Sequence, residues 1–137
     1  MSLFSAVENK NVQLPDLSQP IMPFDSSNLG SFARYKPVKD LDQIDLYWDM
    51  PYLKNEYKSN PLSYYTHLIG HEGENSLLSY LKAEDYAMEL STYVDHNNDC
   101  LSNFNLTITL TKKGLANTDK VLNAVFKYIQ RLKEVGP

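Results

Sequence analysis

This sequence contains a single cysteine and lacks both long apolar runs and a leader-like N-terminus. Cys100 is the one cysteine among 137 residues, so a disulfide framework within the chain is excluded. No apolar stretch approaches the length needed to span a bilayer. The segment Met1–Val7 is followed at once by Glu8 and lacks the apolar core of a signal peptide. These absences argue against a small secreted domain that is stabilised by disulfide bonds. They favour a cytoplasmic location, while the compartment itself stays open.

Positive charge is also in short supply. The chain carries 13 Lys and Arg against 17 Asp and Glu, which gives a net charge of −4 and a pI near 5.3. Nucleic-acid binding needs Lys and Arg clustered on one face, and membrane-surface binding needs a basic run. We therefore expect neither nucleic acid nor a membrane among the partners.

The residues that are present suffice for one folded domain. Apolar side chains make up 42% of the chain, and a single domain is the expectation for this length. Residues 1–35 differ from the rest, because prolines at 15, 20 and 23 interrupt any periodic pattern and 26–31 is rich in turn formers. The sequence predicts an extended arm or interdomain linker over residues 1–35 and an ordered α+β domain over residues 36–137.

Three segments alternate apolar and polar residues with the period of a strand. They begin near Ile44, Tyr86 and Phe104, and Pro51 ends the first of them. The polar residues 95–99 predict a turn between the second and third strands, which would then form a hairpin.

Helical spacing marks the remaining segments. Ser59 or Asn60 is expected to cap a helix that starts at Pro61, and a short second helix follows with Leu77, Leu78 and Leu81 on one face. The last helix is expected to be capped by Thr111. Its apolar stripe is formed by Leu115, Leu122, Val125, Phe126, Ile129 and Leu132.

The predicted order is therefore strand, helix, helix, strand, strand, helix. Such a mixture, without regular alternation of strands and helices, predicts an antiparallel sheet with helices packed on one face.

His67 and His71 are the residues that most resemble a metal site. Their spacing of four would put both imidazoles on one face of a helix, where they could share a zinc ion. Hydrolysis at zinc also needs a general base, but Leu68 and Gly70 occupy the two positions where a glutamate would serve. No third ligand is singled out either. We predict no catalytic residue and no metal ligand, and prefer a helix end stabilised by hydrogen bonds.

The run from Lys58 to Lys82 contains the segment His67-Leu68-Ile69-Gly70-His71-Glu72-Gly73. It resembles the insulinase branch of the inverted zinc metallopeptidases, in the second and non-catalytic domain. The likeness extends to 37–40 and resumes at 110–115 and 126–137, so it covers most of residues 35–137.

The resemblance implies a parent enzyme built from four homologous α+β domains that close into a chamber. Zinc would be held in the first domain by a His-x-x-Glu-His motif, which is absent here, so this chain alone would be inactive and would hold no cofactor. The fold implied is half of a domain like those of the LuxS metalloenzyme and the processing peptidases. Its partners would be peptide substrates and the other domains of the parent.

The resemblance also implies an exosite that anchors the N-terminal end of a substrate. The matching residues here are His67, Gly70, Glu72, Leu90, Ser91 and Thr92. A glutamate at a helix end can receive an α-ammonium group, and an edge strand can accept a peptide by backbone pairing. The family has glycines in this strand, whereas this chain has none between Leu90 and Thr92.

Two other functions stay open from the residues alone. The chain could be a stand-alone module that binds peptides or proteins without any role in proteolysis, or a zinc hydrolase that uses His67 and His71. A half domain would also leave a sheet edge uncovered, so the isolated chain is expected to form a homodimer.

Overall fold

The computed structural model describes residues 6–13, 27–95 and 101–136, with Lys54 described by its backbone only. Cys100, most of the turn predicted at 95–99, and the prolines of the N-terminal arm lie outside these residues. Residues 6–13 and 27–41 are exposed and form no helix or strand. The domain boundary near residue 35 stays a prediction.

Three antiparallel strands form the sheet: β1 (Gln43–Pro51), β2 (Ala87–Asp95) and β3 (Leu101–Leu110). Their order is β1-β3-β2, so the last strand in sequence is the central one. The register places Ile108 between Ile44 and Leu90, and Leu106 between Leu46 and Thr92. The predicted α+β class with an antiparallel sheet is therefore confirmed.

The helical segments lie before β2 and after β3. They are α1 (Pro61–Ile69), α2 (Leu77–Ala83), α3 (Lys112–Leu115) and α4 (Thr118–Val135), with a single 3₁₀ turn at Lys54–Glu56. The predicted order lacks both the 3₁₀ turn and α3. Neither short segment has the apolar periodicity on which the prediction depended. No helix in the described part of the chain is long and apolar enough to cross a membrane.

The first helix begins at Pro61 as predicted, but its predicted side-chain cap is wrong. Asn60 occupies the N-cap position with a φ of 39°, in the left-handed region, and its side chain makes no capping hydrogen bond. Ser59 donates its hydroxyl to Glu56 O at 3.2 Å instead. A side-chain cap does form at α2, where the Ser76 hydroxyl accepts from Ser79 N at 3.1 Å.

The predicted final helix is broken into α3 and α4. Thr111 caps α3 as expected, since its hydroxyl accepts from Gly114 N at 2.9 Å. At Gly114 the chain passes directly over the backbone of Tyr86, and a methyl group at this position would overlap Tyr86 O. Thr111 N also donates to Tyr86 O at 3.1 Å. This contact fixes the direction of α3, and α4 starts afresh at Thr118.

The hydrophobic core lies between the helices and one face of the sheet. Leu106, Ile108, Val121 and Val125 are fully buried there. The apolar stripe predicted for the last helix is wrong in part, because Leu115 is 47% and Phe126 is 52% exposed. The helix turns Val121 and Val125 to the core, and Phe126, one position further along, is rotated away by about 100°. Partly buried side chains complete the core from α4: Leu122, Ala124, Tyr128, Ile129 and Leu132.

The opposite face of the sheet is polar. Asn105 of β3 lies between Tyr47 of β1 and Tyr93 of β2 and is only 2% exposed. Thr107 donates its hydroxyl to Asp45 Oδ1 at 2.8 Å, which ties β1 to β3 by side chains as well as by backbone. Alternation along β1 and β3 thus separates an apolar inner face from a polar outer face. The alternation predicted at the start of β2 is wrong, because a register shift between Ala87 and Glu89 leaves Met88 56% exposed and buries Ala87.

Tyr47 on this outer face provides a pH-dependent test of the sheet. Burial and the Asp45 carboxylate raise the pKa of Tyr47 above 10.0, and Tyr93 and Tyr35 add to the shift. Because the folded chain holds this proton more tightly than the unfolded chain, stability is expected to fall as the pH rises above 10.0. Asp45→Asn should move the phenol titration to lower pH, as measured by NMR of ¹³Cζ-labelled tyrosine.

Asp119→Asn on α4 is the control for this titration, since α4 packs on the other face of the sheet. An Asp45→Asn titration that coincides with that of the unmodified chain would show that the carboxylate does not act on Tyr47.

Candidate functional site

The end of α1 carries the first predicted site residues. The helix stops at Ile69, and Gly70 N donates to Thr66 O at 2.9 Å as the helix closes. His67 is therefore in the last turn of α1, whereas His71 and Glu72 lie in the connection to α2. The expectation that both histidines share one helix face is wrong, because the helix ends two residues before His71.

The two imidazoles are nonetheless close together. The ring centroids of His67 and His71 are 5.8 Å apart, with the planes tilted by 46°. Both residues are exposed. Within the described residues, no group of three or more His, Cys, Asp or Glu could hold a metal ion. A zinc site with protein ligands needs at least three, so this histidine pair is short of a ligand set.

Gly70 presses against β2. A methyl group at Gly70 would lie 2.6 Å from Thr92 Oγ1 and 2.7 Å from Thr66 O. The Thr92 hydroxyl donates to Thr66 O at 2.9 Å, so strand and helix end are also joined by a hydrogen bond. Two of the predicted residues, Gly70 and Thr92, are thus in direct contact, and the glycine is needed for the approach.

Gly73 also makes a close contact that an added methyl group would disturb, in this case with the ring of His71. A methyl group at Gly73 would overlap His71 Nε2 and lie 3.1 Å from His71 Cε1. The His71 ring is therefore folded over the backbone of its own loop, on the side where it meets His67. Gly73 O also accepts from Ser76 N at 3.2 Å, which leads the chain into α2.

The three remaining predicted residues differ in exposure. Glu72 is exposed in the loop, and Ser91 is exposed on the outer face of the sheet. Leu90 is 3% exposed and its side chain belongs to the core, so only its backbone is available at the strand. Among the described strands β2 pairs with β3 alone, which makes it an edge of the sheet.

Tyr128 is a residue of this region that the sequence patterns did not identify. Tyr128 of α4 donates its hydroxyl to Leu68 O at 3.2 Å and so holds the end of α1 from the other side. Its spacing of seven from Val121 was a signal that could have placed it on the inward face of α4. The hydrogen bond itself joins residues sixty apart and has no local signature.

Comparisons with known proteins agree on the same relatives. A protein-family model described as the peptidase M16 inactive domain matches residues 1–137. Insulin-degrading enzyme of Homo sapiens is 38% identical over 137 residues, which is 100% of this chain and 13% of that enzyme. Nardilysin of Rattus norvegicus is 31% identical over 140 residues, which is 98% of this chain and 12% of nardilysin. This chain therefore spans only a small part of the length of these relatives.

One solved structure is similar in fold as well as in sequence. The crystal structure of pitrilysin superimposes with a TM-score of 0.68 and 26% identity, over 71% of this chain and 10% of that one. In each of these proteins the region similar to this chain is one part of a much longer polypeptide.

Proposed function

The chain belongs to the peptidase M16 family, in its inactive domain, and on that premise we propose that it anchors the N-terminal ends of peptide substrates for a larger zinc metalloendopeptidase. Catalysis and zinc then belong to other domains of the parent. The described residues offer no ligand set for zinc, so no chemical step is assigned to them.

The contact between Gly70 and Thr92 is the observation that supports this proposal. It holds the end of α1 against an edge strand of the sheet. An edge strand presents unpaired backbone N–H and C=O groups to an extended peptide. Glu72 follows two residues after Gly70 and is exposed, so its carboxylate is available to the α-ammonium group of that peptide.

Hydrogen bonding in the loop favours a fixed position for Glu72. The loop is closed at its start by Gly70 N on Thr66 O and at its end by Ser76 N on Gly73 O. The ring of His71 covers the backbone in between. The backbone between two such fixed points needs little ordering when a ligand binds, which favours affinity.

Glu72→Ala is expected to weaken binding of peptides with a free N-terminus by about tenfold, because it removes a charge-assisted hydrogen bond. Acetylated copies of the same peptides should bind equally to both forms, since they carry no ammonium group. Fluorescence anisotropy with peptides labelled at the C-terminus would measure both affinities on the 137-residue chain.

Glu74→Ala is the matched control, as Glu74 is an exposed carboxylate of the same loop. It should leave both affinities unchanged. Equal losses for free and acetylated peptides on Glu72→Ala, or an equal loss on Glu74→Ala, would contradict recognition of the α-ammonium group by Glu72.

A further inference from the structure

A concave surface whose lining includes none of the predicted exosite residues lies beside α4. It is a cleft of about 450 Å³ between α4 and the segment that leads into α2. Ligand-binding clefts in proteins commonly fall in this range of volume. The lining residues are Asn75, Ser76, Leu77, Tyr80, Tyr86, Lys120, Asn123, Ala124, Lys127, Tyr128 and Arg131.

All the charged side chains that line this cleft are cations. Lys120, Lys127 and Arg131 line it, and none of its lining residues is a carboxylate. None of these three cations forms a salt bridge within the described residues, whereas Lys112 elsewhere pairs with Asp42 at 2.8 Å. A cationic cleft on a chain with a net charge of −4 is a local concentration of positive potential, and it favours an anionic ligand.

The three cations follow one line along α4. They are separated by seven and by four residues, which keeps them within about 40° of a common line on the helix surface. At 1.5 Å per residue, these separations correspond to about 10 Å and about 6 Å along the axis. An extended peptide advances about 3.3 Å per residue and presents alternate side chains on one face, so carboxylates four and then two residues apart lie about 13 Å and about 7 Å apart on that face. The long, flexible side chains of lysine and arginine can adjust to carboxylates at this spacing.

The floor of the cleft is formed by residues that are fixed in the fold, and the accessible surface of the cleft is mostly apolar. Ser76 is 4% and Tyr86 is 6% exposed, so both are fixed in the fold rather than free on the surface. The amides of Asn75 and Asn123 add donors and acceptors at the rim. Half-buried Tyr128 forms part of the wall. The apolar surface of the cleft can contact the carbon atoms of a bound peptide, the two amides can hydrogen-bond to it, and the row of cations can bind its side-chain carboxylates.

We propose that this cleft binds an extended acidic peptide segment whose carboxylates are spaced by four and then by two residues. A compact anion cannot reach cations spread over about 16 Å of helix, but such a segment can contact all three. The lining of this cleft includes neither Glu72 nor a residue of β2, although its Tyr128 and Ser76 also hydrogen-bond to Leu68 and Gly73, on either side of Glu72.

The test uses the 137-residue chain and an acetylated, amidated heptapeptide with glutamate at its first, fifth and seventh positions and alanine elsewhere, labelled with a fluorophore. Blocking the N-terminus removes any contribution from Glu72. Fluorescence anisotropy should show saturable binding that weakens as salt is raised. A peptide of the same composition with its three glutamates adjacent should bind at least about fivefold more weakly, because it cannot match the spacing.

Lys127→Gln combined with Arg131→Gln should weaken binding of the first peptide by at least about tenfold. This variant is expected to stay folded, because it removes like charges four residues apart on an exposed helix surface. Circular dichroism would verify this. Lys133→Gln is the matched control, because Lys133 is exposed on α4 at about 140° from the line of the cleft and does not line it. It should leave binding within about twofold.

Three results would overturn the proposal. One is equal affinity for the two peptides, which would remove the argument from spacing. Another is a folded Lys127→Gln/Arg131→Gln variant that binds as well as the unmodified chain. The third is displacement of the peptide by inorganic pyrophosphate at equal concentration, which would identify the cleft as a site for compact anions.

Discussion

Gly114→Ala is expected to lower the free energy of unfolding by about 3 kcal/mol or more, the largest effect of any single methyl group in this chain. The added methyl would overlap Tyr86 O and lie 2.9 Å from Tyr86 C. Both neighbours are backbone atoms, so no flexible side chain can give way. Relief would require α3 to move off the start of β2, with loss of the hydrogen bond from Thr111 N to Tyr86 O.

Urea unfolding followed by circular dichroism would measure this change. Gly30→Ala is the control, because Gly30 has a φ of 73° but no atom within 4 Å of the added methyl. Gly30→Ala should lower the free energy of unfolding by about 1 kcal/mol, which is the cost of placing alanine in a left-handed backbone conformation. If Gly114→Ala were no more costly than Gly30→Ala, the close crossing at Tyr86 would be refuted.

Gly70→Ala is expected to lower the free energy of unfolding by about 2 kcal/mol and to weaken binding of free N-termini as well. Its methyl would lie 2.6 Å from Thr92 Oγ1, so α1 and β2 must separate at the point where the peptide is proposed to dock. The added methyl at Gly70 would meet the side chain of Thr92, which a substitution can shorten. The added methyl at Gly114 would meet only backbone atoms of Tyr86.

Thr92→Ala provides a double-mutant cycle for this contact. The two substitutions together should cost less than the sum of their separate costs, because the alanine at 92 makes room for the alanine at 70. Part of the cost should persist, since Thr66 O is also only 2.7 Å from the added methyl. Strict additivity, measured by urea unfolding, would show that Gly70 and Thr92 are not in contact.

Local patterns were sufficient to predict the three strands and the pairing of β2 with β3, but not the position of β1 in the sheet. In β3 the residues Phe104, Leu106, Ile108 and Leu110 alternate with polar residues, and all four are buried as that alternation predicts. The antiparallel class follows from the short connection between two such strands. Burial of alternate residues is a property of the strand itself, so the sequence contains it.

The errors arose where a distant segment decides the local structure. The helix predicted from Thr111 is interrupted because Gly114 meets Tyr86, which lies far from it in sequence. Phe126 has the spacing of a core residue, but the direction of α4 leaves it half exposed. Neither outcome depends on residues within one helical turn.

The two candidate sites also combine features that the sequence predicts with features that depend on distant contacts. Glu72 and His67 were identified through the resemblance, but the role of Gly70 became evident only from its contact with Thr92. The cationic cleft was not predicted at all. Its cations come from α4 and its floor comes from Ser76 and Tyr86, and only the packing of α2 against α4 brings them together.

The crossing of Gly114 over Tyr86 also bears on the order in which the chain folds. It closes a loop that contains only β2, β3 and their connection, and the hydrogen bond from Thr111 Oγ1 to Asp85 O spans 26 positions. Pairing of β1 with β3 joins residues much further apart, as with Asp45 and Thr107 at 62 positions. Shorter loops lose less entropy on closing and their contacts form faster. The hairpin with its α3 turn is thus suited to form before β1 pairs with it.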